Sequence, residues 1–132
     1  MIIDSSALLA ILFNEPDAHL HAQAIAKADS VEISAANWLE TAIRVDHGGN
    51  AIASNALDDL MREAEIKIVP VTAEQASIAR QAYRAYGKGT GHPAQLNFGD
   101  CFSYALAKST RQPLLFKGND FNQTDLPIAL EG

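Results

Sequence analysis

The sequence predicts a single α/β domain: a mainly parallel sheet of four or five strands with helices on both faces. Three observations carry this. Short apolar runs alternate with longer stretches of helical periodicity along the whole chain. Strand, crossover helix and strand in repeated order favour a parallel sheet, because a parallel return needs a long connection. No repeat, low-complexity tract or linker divides the 132 residues, 48% of them hydrophobic, so one core is expected over 1–132.

Each element has a local reason. Met1 to Asp4 forms a short buried strand, and a helix follows from Ser6 to Phe13. Pro16 stands near the start of a second helix reaching Ala28, since proline suits a first helical turn. Val31 to Ile33 is the second strand. Ser34 is a good N-cap for a helix from Ala35 to His47, and Gly48-Gly49 stops it. Another helix runs from Asn50 to Ala64, and Ile66 to Val69 makes the third strand. Thr72 with Gln75 three residues on suits a capping box for a helix to Tyr86. The glycines and proline of Gly87 to Pro93 break both helix and strand, so a mobile loop is expected there. Asn97 caps a helix from Phe98 to Ser109, Pro113 to Phe116 is the fourth strand, and Gly118-Asn119-Asp120 is a turn. Leu126 to Leu130 is read as a short edge strand.

Composition excludes several classes. No run approaches the ~18 apolar residues of a membrane span, and the longest, Ala7 to Phe13, follows Asp4 and not a basic stretch. The single cysteine, Cys101, forms no internal disulfide and suits a reducing compartment, with the cytoplasm as default. A net charge of -6 argues against general nucleic-acid binding, unless the acids gather where cations neutralise them.

The acids do fall together in this topology. Ligands of open parallel sheets bind beyond the carboxyl ends of the strands, where strand order reverses. Asp4 ends the first strand, Asp120 follows the fourth, and Asp100 lies in the first turn of the helix between them. Glu40 borders the apolar stripe of its helix. Singly, each has an ordinary structural role: Asp4 as a cap, Glu40 as a partner of Arg44, Asp100 on a helix dipole, Asp120 in a turn. Gathered within ~4 Å they would repel by several kcal/mol per pair at an effective dielectric of ~20, which a cation relieves. Oxygen donors without a Cys or His cluster favour Mg²⁺, with Mn²⁺ possible. Ser6 is the candidate to hydrogen-bond a carboxylate from behind. Arg80, Arg84 and Lys88 recur every four residues and suggest a basic stripe that holds a phosphate backbone; Lys117 is a further phosphate contact. Trp38 is assigned to core or interface, and His92 to no role.

The segments Ile2-Ile3-Asp4-Ser5-Ser6-Ala7-Leu8, Ser34-Ala35 through Glu40, Leu96-Asn97-Phe98-Gly99-Asp100-Cys101-Phe102-Ser103-Tyr104-Ala105-Leu106-Ala107 and Pro113 through Phe121 resemble the PIN-domain ribonucleases, within them the VapC toxins of toxin–antitoxin pairs. The resemblance implies a PIN fold and a metal-dependent endoribonuclease with Asp4, Glu40 and Asp100 at the principal acidic positions. Asp4 and Asp100 are then the metal ligands. Many relatives carry Thr-x-Asp where this chain has Phe116-Lys117-Gly118, which leaves the fourth position to Asp120 or, second, to Asp125. A VapB-type antitoxin and a toxin homodimer are also implied. Asp100→Asn is expected to abolish cleavage with a nearly unchanged thermal melt.

Two other classes fail on position. A phospho-receiver needs an acid at the end of the third strand, where Val69-Pro70-Val71 stands; an Asp-nucleophile phosphatase needs a second Asp where Ser6 stands. A PIN scaffold that binds RNA or a protein without cutting is the remaining alternative.

Overall fold

The apolar runs too short for a helix become strands, and the periodic ones become helices. The computed structural model describes residues 1–130. Its elements are β1 (Ile2–Ile3), α1 (Ser5–Leu12), α2 (Ala18–Lys27), β2 (Glu32–Ser34), α3 (Ala35–His47), α4 (Ala51–Glu63), β3 (Lys67–Val69), α5 (Ala73–Tyr86), α6 (Phe98–Thr110) and β4 (Leu114–Leu115), followed by a 3₁₀ turn at Phe121–Gln123. The sheet is parallel throughout, in the order β3-β2-β1-β4. Strand order therefore reverses between β1 and β4. Among the described residues, no helix is long and apolar enough to cross a membrane.

Successive side chains of a strand point to opposite faces, and the core divides accordingly. Ile2 and Leu114, in register, join Ala79, Ala82, Ala105 and Leu106 of α5 and α6 on one face. Ile3 and Leu115 join Leu8, Ile25 and Ile33 on the other. All four strand residues are fully buried, which is why this part of the sheet tolerates no polar residue. The predicted caps form at Ser34, which accepts from the Ala36 N–H, and at Asn50, which accepts from those of Ile52 and Ala53; at Thr72 one half of the expected capping box forms, its side chain accepting from the Gln75 N–H.

Three expectations change. Leu126 to Leu130 is no regular strand: it makes a single parallel bridge, Ile128 to Leu114, with Pro127 unable to donate to a ladder. α5 ends at Tyr86 and Gly87 is extended, so Lys88 leaves the stripe begun by Arg80 and Arg84. The loop after α5 is tethered and not loose. Lys88 N–H donates to the Leu96 carbonyl at 2.8 Å, Leu96 N–H to that of Tyr86 at 2.9 Å, and the Tyr83 hydroxyl to that of Lys88 at 2.8 Å. Ala94 and Leu96 are fully buried beneath it. Buried apolar anchors, invisible to a count of glycines, hold the segment down.

Candidate active site

Asp4 leaves β1 at the edge where strand order reverses, its N–H donating to the Leu115 carbonyl of β4 at 2.9 Å. Its carboxylate caps α1, accepting from the Ser6 N–H at 3.0 Å. The other oxygen accepts from the Ser103 hydroxyl of α6 at 2.5 Å. Asp4 is 4% exposed, and an ionised group so buried persists only when hydrogen-bonded. The capping role and a place at the site are thus both real.

Asp100 occupies the third position of α6, where Asn97 and Asp100 form a reciprocal capping box: Asp100 N–H donates to the Asn97 side chain at 2.9 Å and Asn97 N–H to Asp100 Oδ2 at 3.0 Å. Burial pushes the Asp100 carboxyl up to about 7, against the Asn97 N–H that holds it down, and the charges of Asp4, Asp120 and Glu40 push the same way. Asp100 is thus the acid on which the charges of the other three predicted acids act. None of them is paired with a lysine or arginine among the described residues.

Glu40 does not pair with Arg44. Its Oε1 accepts from the Ser5 hydroxyl of α1 at 2.6 Å, while the Arg44 guanidinium lies 5.9 Å from the centroid of the Phe13 ring. Asp120 is exposed at the head of the 3₁₀ turn and makes no capping bond there, with Phe121 buried behind it. Asp125 is excluded from the cluster: it accepts from the Tyr104 hydroxyl at 2.6 Å and the Lys108 ammonium at 2.5 Å, and so clamps the C-terminal segment to α6.

A family model described as PIN domain matches residues 1–126. The chain belongs to the PIN-domain family. Within it, the relatives are VapC proteins. Ribonuclease VapC28 of Mycobacterium tuberculosis is 53% identical over 131 residues, covering 99% of this chain and 98% of that one. Ribonuclease VapC of Mycolicibacterium smegmatis is 51% identical over 126 residues, covering 96% and 97%. The fold is shared with the crystal structure of Mycobacterium tuberculosis VapC20, titled a sarcin–ricin loop cleaving toxin, at a TM-score of 0.75 and 16% identity over 99% of this chain and 98% of that one. VapBC2 of Rickettsia felis, bound to a DNA fragment from its promoter, aligns at 0.74 with 13% identity over 96% and 94%.

In this PIN domain the departure at the fourth acidic position has a backbone cause. Gly118 adopts φ +110°, a conformation that strains any residue with a Cβ, so an aspartate there would strain the turn. Asp120, the candidate for that position, stands two residues on.

The supporting residues differ from those expected. Ser6 uses its N–H on Asp4, but its hydroxyl accepts from the Lys117 N–H at 2.9 Å and touches no carboxylate. Ser5 and Ser103 fill the role assigned to Ser6. Helix phase explains the swap: the first turn of α1 turns the Ser5 side chain inward, 5% exposed, while that of Ser6 faces the β4 loop. Ser103, three residues after Asp100, was legible as a same-face neighbour. Asn37, one turn before Glu40 and buried, was not; its amide donates to the Gly99 carbonyl at 2.9 Å.

The basic residues are only partly gathered. Lys117 is engaged by Glu15 and Asp17. Arg80 lines an apolar groove with Tyr83, Phe98 and Phe102, beside the α6 N-terminus, whereas Arg84 and Lys88 are exposed and absent from it.

The donor set fits a hard divalent cation by its chemistry: carboxylate oxygens, no compensating base, and an acid pushed up by burial and then by its acidic neighbours. Among the described residues, no three of these groups form a ready-made metal cluster. The fit is one of donor type and charge.

Proposed function

We propose that this chain is a Mg²⁺-dependent endoribonuclease, with Mn²⁺ as an alternative ion, and the toxin of a toxin–antitoxin pair. The observation that carries the reading is Asp100, whose carboxyl is pushed up to about 7 by burial and then by the charges of Asp4, Asp120 and Glu40, with no lysine or arginine paired to any of the four among the described residues. An acidic cluster of this kind is costly in a merely structural site and useful in one that binds a cation. Relatives at 53% and 51% identity named ribonucleases support the same activity.

Asp4 and Asp100 are the residues that would hold the ion, which supplies charge neutralisation and Lewis-acid polarisation of the phosphodiester. Ser103 and the Ser6 N–H fix one face of Asp4, so its geometry is set before substrate arrives. Asp100 offers its second oxygen, Oδ2 being held by Asn97. Glu40, held by Ser5, accepts the proton of the attacking water, and in-line displacement leaves a 5′-phosphate and a 3′-hydroxyl. Asp120 adds charge at the open edge, and Arg80 supplies a phosphate contact.

A VapB-type antitoxin and a second copy of the chain are the proposed partners. Phe98, Ile43 and Leu39, exposed by 80%, 59% and 52%, line one apolar groove with Phe102, a surface for a partner chain; Glu40 lines the same groove, so a partner seated there would also close off Glu40.

The deciding experiment incubates total RNA with purified protein in Mg²⁺, in EDTA, and with Asp4→Ala in parallel. Cleavage in Mg²⁺ alone, lost in both controls, is expected. A folded protein that cuts under no condition would replace this reading with a non-catalytic PIN scaffold that binds RNA or a protein.

A further inference from the structure

We infer that Gly99 and Ser5 are positioning residues that together hold the Glu40 carboxylate in one place. The case begins with Glu40 itself, an exposed side chain on the surface of α3. Left alone, such a glutamate samples many rotamers, and ordering it costs side-chain entropy. Here it is bracketed. On one side Ser5, buried in the first turn of α1, donates its hydroxyl to Oε1 at 2.6 Å. On the other side lies the Cα of Gly99, with no side chain in the way.

The space there is specific. A Cβ built on Gly99 would stand 2.4 Å from Glu40 Oε2 and 2.9 Å from Oε1, distances no real methyl group occupies. Gly99 is helical and has no positive φ, so conformational freedom does not explain a glycine at this position. Close approach by the carboxylate does.

The backbone of Gly99 is fixed as well. Asn37, 1% exposed and one turn before Glu40 on α3, donates its amide to the Gly99 carbonyl at 2.9 Å. The Asn37 carbonyl accepts from Thr41 Oγ1 at 2.8 Å and lies 3.0 Å from Ser5 Oγ, whose single proton goes to the nearer Glu40 Oε1. α1, α3 and the first turn of α6 are thereby locked together around Glu40, beside Asp100. An added methyl at position 99 forces the carboxylate out of this bracket, and losing the Ser5 hydroxyl releases it.

The test has two arms, and only the kinetic arm rests on the ribonuclease reading. In the first, side-chain ¹³C relaxation of Glu40 is measured in the full-length, metal-free wild type, Gly99→Ala and Ser5→Ala proteins. An ordered Glu40 in wild type and a mobile or displaced one in both variants is expected. A Glu40 as mobile in wild type as in the variants overturns the inference, whatever the protein does to RNA. In the second arm, Mg²⁺-dependent cleavage of an RNA oligonucleotide is followed. Gly99→Ala and Ser5→Ala should each lower kcat by about tenfold to a hundredfold with KM changed less than about threefold, as expected when a reacting group is displaced by about an ångström. Combined with Glu40→Gln, neither should lower kcat further, because they act through Glu40. Additive losses, or wild-type kcat in either variant, overturn the inference. Should Gly99→Ala fail to fold, Ser5→Ala and its restoration by Ser5→Thr decide the question alone.

Discussion

Replacing Asp100 with asparagine should stabilise the metal-free protein. Asparagine is nearly isosteric, and its side-chain oxygen can still accept from the Asn97 N–H, so the capping box survives the change. What disappears is a half-buried charge facing Asp4, Asp120 and Glu40. Raising a carboxyl from its ordinary 3.8 to about 7 corresponds to about 4 kcal/mol at 1.36 kcal/mol per pKa unit. Solvent reaches part of the group and screens it, so about half, ~2 kcal/mol, is the realistic gain. With an unfolding entropy near 2.1 cal/mol/K per residue, 132 residues give about 280 cal/mol/K, and the melting temperature should rise by about 7 °C.

The sign with pH follows from the raised native value. The native carboxyl holds its proton more tightly than the unfolded one, so ionisation costs stability as pH rises from 3.8 through about 7, and the cost is absent below that window. Melts of wild type and Asp100→Asn in EDTA at pH 7.5 and pH 3.5 test this. A gain at pH 7.5 that vanishes at pH 3.5 is expected. No gain at pH 7.5, or an equal gain at both, would refute the burial-and-repulsion argument. Saturating Mg²⁺ should raise the wild-type melt and leave the variant nearly unmoved, since only a form that binds the ion is stabilised by it.

Other outcomes follow from the same geometry. Ser103→Ala removes a buried donor from the Asp4 carboxylate and should cost about 2 kcal/mol in urea unfolding at pH 7; an unchanged midpoint would mean that Asp4 needs no such support. Asp120→Asn should lower Mg²⁺-dependent cleavage at least about tenfold, by analogy with other charge-stabilising groups. Asp125→Asn, whose carboxylate is spent on Tyr104 and Lys108, should cut as wild type does. The opposite ranking would exchange their roles. Phe98→Glu places a charge in the exposed apolar groove and should break the proposed homodimer, read by light scattering as a lower mass than wild type; equal masses would remove this groove from the dimer contact.

How much of this was legible in the linear chain depended on the range of the interactions. Local chemistry marked helix ends well: Ser34, Asn50, Thr72 and Asn97 each cap the helix that follows them in sequence. The parallel sheet followed from the alternation of elements, and the edge carrying Asp4 and Asp120 from the position of those residues after β1 and β4. Local reasoning erred where a competing contact came from far away. The glycine-rich loop was expected to move, yet Leu96 and Ala94 tie it to the core. Lys117 was expected on phosphate, yet Glu15 and Asp17, about a hundred residues earlier, engage it.

By itself, then, the sequence determined the fold class, the caps and the strand-end placement of the candidate acids, because capping and strand-end placement depend on neighbours within a few residues. Only the tertiary structure decided which hydroxyls hold those acids. Ser5 and not Ser6 reaches Glu40, Ser103 reaches Asp4 across 99 positions, and Gly99 makes room for Glu40 from another helix. Adjacent serines are indistinguishable in composition; the helix phase relative to a packed partner, which exists only once α1, α3 and α6 have docked, tells them apart.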